Sequence, residues 1–218
     1  MPRVGFIGLG TMGFPIAGHI SQSYMTLVFN RTLEKSQNWA SQFSGEVSES
    51  IGDLASRSDV IVLCLSEDKD IEEIVLGSGG ILEHIKEETV VIDHSTTSVD
   101  TANRLSRHLL KKKSFYLDAP VSGGEAGAQN GSLSIMVGGE QAAYKEISNI
   151  LDCYSGFHKF MGKSGNGQLT KMINQICIAG LIQALAEAAS FSKKSGISSK
   201  EVLSVISKGA AQSWQMEN

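Results

Sequence analysis

The chain has 218 residues, of which 41% are hydrophobic, 19% are charged and 23 are glycine. Glycine makes up about a tenth of the chain, above its usual share of roughly 7%. This composition is typical of a compact globular protein rich in glycine loops, and it disfavours a disordered or fibrous chain. At about 150 residues per domain, the length predicts one complete domain and part of a second.

The net charge is −4, from 19 basic and 23 acidic residues, which disfavours attraction to nucleic acid or to an anionic membrane. Cys64, Cys153 and Cys177 are far apart, so the sequence predicts neither a disulfide framework nor a metal site. The N-terminus carries no leader-like pattern, and the longest apolar run, 176–182, is only seven residues. We therefore expect a cytoplasmic protein with no membrane-spanning segment and no membrane partner.

Strands and helices alternate from the N-terminus onward. The predicted strands are 3–7, 26–29, 60–65, 90–92, 115–117, 132–137 and 157–160. The predicted helices between them are 11–20, 33–43, 70–76, 99–110 and 141–151. Apolar runs without polar alternation, such as VIVLCL in 60–65, are typical of strands buried on both faces of a parallel sheet. This order predicts an α/β fold of Rossmann type with a mostly parallel sheet.

The strand pattern stops after Gly162. From about Leu169 to Lys194 the residues favour one long helix, which Ser195-Gly196 can end before a further helix over 202–207. A helix of about 25 residues is about 38 Å long, too long for the outer layer of a small sheet. We therefore predict a dinucleotide-binding domain over 1–163 and the start of an all-α second domain over 164–218.

A glycine loop with the pattern GxGxxG lies between the first strand and the first helix. In that context the first glycine permits a tight turn, the second lets the backbone approach a pyrophosphate, and the third allows close helix packing. The context predicts dinucleotide binding, with an incidental turn as the alternative. The predicted cofactor contacts of this loop are Gly8, Leu9, Gly10, Thr11, Met12 and Gly13.

The end of the second strand predicts which dinucleotide is preferred. An acidic residue normally holds the adenosine ribose of NAD there, but this chain has Asn30, Arg31 and Thr32. Arg31 can pair with a 2′-phosphate, so NADP is predicted over NAD, with NAD still possible. The alternative is that Arg31 is an ordinary exposed loop residue.

Four segments occur in an order that resembles one enzyme family. They are GFIGLGTMG at 5–13, DHSTT at 93–97, DAPVSGGEAGAQNGSL at 118–133 and GKSGNGQLTKMIN at 162–174. Together they resemble the β-hydroxyacid dehydrogenase family, which includes 3-hydroxyisobutyrate dehydrogenase and the glyoxylate and succinate semialdehyde reductases. The resemblance implies Lys171 as the catalytic residue and a cofactor-lining role for Leu65, Ser66 and Thr96. It also implies that Ser122, Gly123 and Gly124 bind the substrate.

These implied roles are physically reasonable. Two adjacent glycines can form a nest of backbone amides for a substrate carboxylate, although a bare turn between two strands is the alternative. A lysine ammonium can polarise a carbonyl oxygen and protonate it as hydride arrives, and the neutral amine can act as the base in reverse. Without the resemblance, a lysine at the start of a helix would be interpreted as a solvent-exposed charge.

Two features depart from the family pattern. The family has Asn four residues after the lysine, whereas this chain has Gln175 there and Asn174 just before it, so both are predicted substrate contacts. Family members are also longer, so we expect a C-terminally truncated member that forms a homo-oligomer through its helical region. We predict an NADP-dependent oxidoreductase acting on small carboxylate-bearing aldehydes or β-hydroxy acids. The alternative is a non-catalytic dinucleotide-binding module that acts as a sensor or scaffold.

Overall fold

The computed structural model describes residues 1 to 217. In these residues strands and helices alternate up to Gly162, and only helices follow. The strands are β1 (Val4–Ile7), β2 (Thr26–Phe29), β3 (Glu46–Val47), β4 (Val60–Leu63), β5 (Val90–Asp93), β6 (Phe115–Asp118), β7 (Val121–Ser122), β8 (Leu133–Gly138) and β9 (Ser155–Gly162). The helices are α1 (Gly13–Ser21), α2 (Leu33–Gln42), α3 (Ile51–Arg57), α4 (Asp68–Leu76), α5 (Ile81–His84), α6 (Val99–Lys111), α7 (Gly124–Gln129), α8 (Gln141–Leu151), α9 (Asn166–Lys194), α10 (Ser199–Ile206) and α11 (Trp214–Glu217).

The strands form one sheet in the order β3-β2-β1-β4-β5-β6-β8-β7, with β9 paired to β8. Strands β1 to β6 are mutually parallel, β8 runs antiparallel to β6 and β7, and β9 is parallel to β8. The predicted Rossmann-type, mostly parallel sheet is confirmed. Because β1 to β6 share one direction, the loops after them emerge at the same edge, where ligands bind in such folds.

The central strands β1, β4 and β5 are buried on both faces, as their uninterrupted apolar runs predict, whereas β9 is largely exposed. Successive strand residues point to opposite faces. Phe6 and Val62 belong to one buried cluster, whereas Ile7 and Ile61 belong to another. The rigid central strands thus position the loops at their carboxyl ends.

The predicted elements are all present, and Thr26–Phe29 and Gln141–Leu151 have the predicted bounds. The sequence patterns missed only short elements, because two-residue strands and helices of four to seven residues contain too few periods to recognise. Helix α3, for example, begins where the Ser50 hydroxyl accepts a hydrogen bond from the Asp53 amide at 3.0 Å. The missed elements are β3, β7, α3, α5, α7 and α11.

Met1–Lys171 form one compact unit, and a second unit starts at Met172. Helix α9 is longer than predicted, with 29 residues, and it ends at Lys194, two residues before Gly196, whose φ is +74°. By length and composition alone, α9 could cross a membrane, and its most apolar window has no buried residue. Helices of this length and composition also occur in the cores of soluble proteins, so the absence of a membrane-spanning segment stays a prediction.

Candidate cofactor and active site

The glycine loop has the shape that a bound pyrophosphate requires. Gly8 has a φ of +103°, and a Cβ there would lie 2.3 Å from the Cys64 carbonyl oxygen. A Cβ at Gly13 would lie 1.9 Å from the Gly8 carbonyl oxygen, so the start of α1 packs directly against the loop. At exposed Gly10, by contrast, a Cβ would meet no protein atom within 4 Å. The open side of the loop therefore lies at Gly10, and the residues present fit a dinucleotide.

The other predicted loop residues differ in their surroundings. Leu9 is buried in the core, and its amide donates to the Asn30 Oδ1 at 3.0 Å. Asn30 in turn donates through Nδ2 to the Thr32 carbonyl at 3.1 Å, so it ties the glycine loop to the end of β2. Thr11 is exposed and Met12 is half-buried. Asn30 thus has a clear structural role in shaping the loop.

Arg31 and Thr32 are exposed at the end of β2. Thr32 is the N-cap residue of α2, but its side chain makes no capping hydrogen bond. Both residues lie on the loop after β2, the strand that runs parallel to β1 beside it. In Rossmann folds the adenosine ribose lies at this loop. Their placement is compatible with the predicted 2′-phosphate contact.

The loops after β4 and β5 are joined by a hydrogen bond. The Leu65 amide donates to the Ser95 hydroxyl at 2.9 Å, and the Ser95 amide donates to Asp93 Oδ1 at 2.9 Å. Ser66 and Thr96 are exposed on these two loops, whereas Ser95 is buried. The fold therefore brings the predicted cofactor-lining loops together and leaves Ser66 and Thr96 accessible.

Asp93 and His94 have structural partners. Asp93 accepts a hydrogen bond of 2.5 Å from Tyr116, and burial raises the pKa of Asp93 to about 6. His94 Nδ1 lies 2.7 Å from the Ala119 carbonyl oxygen, and its Nε2 lies 2.8 Å from the Tyr154 hydroxyl. Burial lowers the pKa of His94 to about 4, so the ring is neutral near pH 7. A carbonyl only accepts, so Nδ1 carries the proton and Nε2 accepts from Tyr154.

Ser122, Gly123 and Gly124 form a turn from strand to helix. Ser122 ends β7 and is half-buried, while Gly123 and Gly124 are exposed at the start of α7. Their φ angles are +132° and +62°, which favour glycine at both positions. The segment is therefore not a bare turn between two strands, because α7 follows it.

Lys171 meets this segment from helix α9. Its ammonium donates to the Val121 carbonyl oxygen at 2.8 Å, directly before Ser122. The side chain is half-buried, and burial lowers the pKa of Lys171 below its usual range. The lysine is therefore not a fully solvated surface charge, and it lies beside the predicted substrate-binding segment.

Two buried polar residues meet at the start of α9, Gln168 in the helix itself and Asp118 at the end of β6, and the sequence patterns did not single out either as functional. Asp118 accepts from the Gly165 amide at 2.8 Å and from the Gln168 amide at 3.0 Å. Gln168 donates to the Ser95 carbonyl at 2.8 Å and accepts from the Thr97 amide at 3.2 Å. Both residues lie within the segments that carry the family resemblance. The residues next to them in sequence do not indicate their hydrogen-bond partners, which lie far away along the chain.

Asn174 and Gln175 lie in the second unit. The Asn174 Nδ2 donates to the Gln175 Oε1 at 3.1 Å, so the two amides pair with each other. Gln175 is exposed and Asn174 is half-buried. Their predicted contact with a substrate stays a prediction.

Within residues 1 to 217, no group of three or more His, Cys, Asp or Glu side chains could hold a metal ion. An open pocket of about 530 Å³ is lined by 21–26 and 44–46, at the amino end of β2. It contains none of the predicted site residues.

Comparison with known proteins identifies the family. Residues 3–173 match the NAD-binding domain of 6-phosphogluconate dehydrogenase, and residues 165–218 match the NAD-binding model of NADP-dependent 3-hydroxyisobutyrate dehydrogenase. An uncharacterized oxidoreductase of Shewanella frigidimarina is 45% identical, over 100% of this chain and 75% of its own length. The 2-hydroxy-3-oxopropionate reductase of Escherichia coli is 32% identical, over 99% of this chain and 73% of its own length.

A solved structure agrees with these relatives. The 3-hydroxyisobutyrate dehydrogenase of Mycobacterium tuberculosis, solved with L-serine, superposes with a TM-score of 0.89 and 27% identity. The match covers 98% of this chain and 72% of that one. The chain therefore belongs to the β-hydroxyacid dehydrogenase family of NAD(P)-binding, 3-hydroxyisobutyrate dehydrogenase-like oxidoreductases.

Proposed function

We propose that this protein is an NADPH-dependent reductase of small carboxylate-bearing aldehydes that also oxidises the corresponding β-hydroxy acids. One observation carries the proposal: the Lys171 ammonium donates to the Val121 carbonyl, directly before Ser122, Gly123 and Gly124. A proton donor and a candidate carboxylate-binding turn are thereby adjacent. The name of the Escherichia coli relative supports this substrate class, since 2-hydroxy-3-oxopropionate is an aldehyde that bears a carboxylate.

Lys171 acts as the general acid in reduction. The bound dinucleotide supplies the hydride. The ammonium of Lys171 polarises the substrate's carbonyl oxygen and protonates it as negative charge develops there. Because burial lowers the pKa of Lys171, its proton is easier to release than that of a solvated lysine. In oxidation the neutral amine accepts the proton from the hydroxyl group.

The turn at Ser122–Gly124 binds the substrate carboxylate. The Ser122 hydroxyl and the backbone amides of the two glycines can donate hydrogen bonds to a carboxylate oxygen. Both glycines are exposed and have positive φ, so no side chain shields their amides. A carboxylate held here lies beside the lysine that protonates the aldehyde.

Arg31 gives the preference for NADPH. Its guanidinium is exposed on the loop after β2 and can bind a 2′-phosphate in bidentate fashion, with the Thr32 hydroxyl as a further donor. No acidic residue occupies 30–32, so the NAD ribose lacks its usual carboxylate partner.

The test follows NADPH absorbance with a panel of aldehydes: glyoxylate, succinic semialdehyde, tartronate semialdehyde and methylmalonate semialdehyde. Turnover of at least one is expected, and Lys171→Ala should lower it by about 10²-fold or more while NADPH still binds. Lys159→Ala, at an exposed lysine of β9, is the matched control and should keep wild-type turnover. Retained turnover in Lys171→Ala would remove the lysine from the mechanism. NADPH binding without reduction of any aldehyde would favour the non-catalytic module.

Assembly and location are further parts of the proposal. Helix α9 exposes large apolar side chains, among them Ile173, Ile176 and Phe191, which supports a homo-oligomer built through the helical region. Sedimentation equilibrium of the purified chain tests this, and a monomer at micromolar concentration would contradict it. A cytoplasmic location stays a prediction from composition.

A further inference from the structure

The structure suggests how the lysine helix is held in place. Helix α9 begins at Asn166, and its first amides have no partners within the helix. Asp118 supplies two acceptors at this end of the helix, because Oδ2 accepts from the Gln168 amide in the first turn at 3.0 Å and Oδ1 accepts from the Gly165 amide just before the helix at 2.8 Å. The carboxylate is fully buried, so these bonds are shielded from water.

The same segment holds α9 at a second point. Asp118 lies three residues before Val121, whose carbonyl oxygen accepts from Lys171. One short stretch of chain therefore fixes both the start of the helix and the ammonium of its lysine. A shift of the helix start relative to Asp118 would change the distance between Lys171 and Val121.

A third connection runs from the helix to the cofactor loops. The side chain of Gln168, which is 1% exposed, donates to the Ser95 carbonyl and accepts from the Thr97 amide. The Ser95 hydroxyl in turn accepts from the Leu65 amide. The helix that carries Lys171 is thus hydrogen-bonded to the loop that contains Thr96, a predicted cofactor contact.

Two glycines permit this close approach. A Cβ at Gly167 would lie 2.3 Å from the Asp118 carbonyl oxygen and 2.5 Å from that of Met136. A Cβ at Gly138 would lie 2.6 Å from Asp118 Oδ1. The helix start is therefore in direct contact with the ends of β6 and β8, and no larger residue fits between them without a shift.

We propose that Asp118 and Gln168 are positioning residues, which hold Lys171 at the place where it can protonate a substrate bound beside Ser122. The effect of Asp118 and Gln168 on catalysis rests on the proposed function, but their effect on the position of Lys171 does not. Loss of either residue loosens the start of α9, releases the ammonium from Val121 and lets water reach it.

The test measures the protonation of Lys171 without any substrate. Acetic anhydride acetylates neutral amines and not ammonium groups. The acetylation rate of Lys171, measured by mass spectrometry at a series of pH values and compared with that of added N-acetyl-lysine amide, therefore gives the titration midpoint of Lys171. In Asp118→Asn the midpoint should rise towards that of the free amine, because water relieves the burial that lowers the pKa of Lys171. Loss of a nearby negative charge alone would lower the midpoint, so the sign separates positioning from simple electrostatics.

Two further variants make the test decisive. Gln168→Met removes both hydrogen bonds without changing charge and should raise the midpoint as well, and it decides the matter if Asp118→Asn does not fold. Ser50→Ala removes the N-cap of α3, away from α9, and should leave the midpoint unchanged. The proposal would be overturned if a folded variant at position 118 or 168 kept or lowered the titration midpoint of Lys171. It would also be overturned if Ser50→Ala raised that midpoint by as much as those variants do.

A kinetic measurement tests the catalytic consequence. With an aldehyde that the wild type reduces, Asp118→Asn should lower kcat by about 10²-fold while KM for NADPH changes by less than about twofold. A rise of about 10²-fold in KM for NADPH with an unchanged kcat would contradict the role of Asp118 as a positioning residue. If the wild type reduces no aldehyde, the proposed function fails, and the labelling experiment still decides the placement of Lys171.

Discussion

Replacement of Gly10 by alanine should separate cofactor binding from folding. A Cβ at Gly10 meets no protein atom within 4 Å, so Gly10→Ala should leave the fold intact or stabilise it by about 0.4–1 kcal/mol. The added methyl group occupies the side from which a pyrophosphate approaches the backbone. Losing one hydrogen bond to the charged phosphate costs about 1.5–3 kcal/mol, so Kd for NADPH should rise about 10- to 100-fold.

Gly13→Ala should show the opposite pattern. Its Cβ would lie 1.9 Å from the Gly8 carbonyl oxygen, so the start of α1 must shift. Overpacking of this kind typically costs about 1–3 kcal/mol, and in a chain of this size each kcal/mol lowers Tm by about 2–4 °C. Gly180→Ala in α9 is the control, because its Cβ also meets no atom within 4 Å but lies outside the glycine loop.

Thermal unfolding by circular dichroism and NADPH titration by calorimetry measure the two effects. Gly10→Ala should keep Tm and lose affinity, Gly13→Ala should lose Tm, and Gly180→Ala should keep affinity. A Gly10→Ala variant that binds NADPH as tightly as the wild type would refute the assignment of the open side of the loop to the pyrophosphate.

Three other predictions follow from the site. Arg31→Asp should reduce the preference for NADPH over NADH at least tenfold in steady-state kinetics, and an unchanged preference would remove Arg31 from cofactor selection. Because burial lowers the pKa of Lys171, the rate of reduction should fall and that of oxidation should rise as pH increases through this lowered pKa, and profiles that move together would contradict its acid–base role. As pH falls from 7 to 4, protonation of Asp93, whose pKa is raised from 3.8 to about 6, stabilises the fold by about 2 kcal/mol. His94, whose pKa is lowered from 6.5 to about 4, destabilises it by a similar amount. In Asp93→Asn the contribution of Asp93 is absent, so the loss of unfolding free energy between pH 7 and pH 4, measured with urea, should be about 2 kcal/mol larger than in the wild type, and equal losses in the two proteins would contradict this.

The order of elements could be predicted because its signals are local. The apolar run of β4 and the glycine loop after β1 identify a parallel sheet and its first crossover within a few residues. The short elements could not be predicted in this way. Helix α7 begins at Gly124, with Gly123 as its N-cap, and two adjacent glycines normally mark a turn, so no local pattern predicts a helix there.

The candidate site was predictable in part. The segments around Gly8, Ser122 and Lys171 contain the residue types that the chemistry requires, so the sequence could name them. It could not distinguish a buried lysine from a solvated one, because the exposure of Lys171 depends on the segment around Val121, fifty residues away. Asn30 shows the same limit, since its pairing with the Leu9 amide, 21 residues away, gives it a role in shaping the loop that no local pattern predicts, while its cofactor contact stays a prediction.

The sequence by itself determined the α/β order, the dinucleotide loop and the family, because each is recorded in residues close together along the chain. Only the tertiary structure decided that Asp118 and Gln168 connect the start of α9 to the end of β6 and to the loop after β5. Such hydrogen bonds join residues 47 to 73 positions apart and depend on the packing of a helix against strand ends. No local pattern encodes that packing, since an aspartate at a strand end and a glutamine in a helix are equally compatible with solvent.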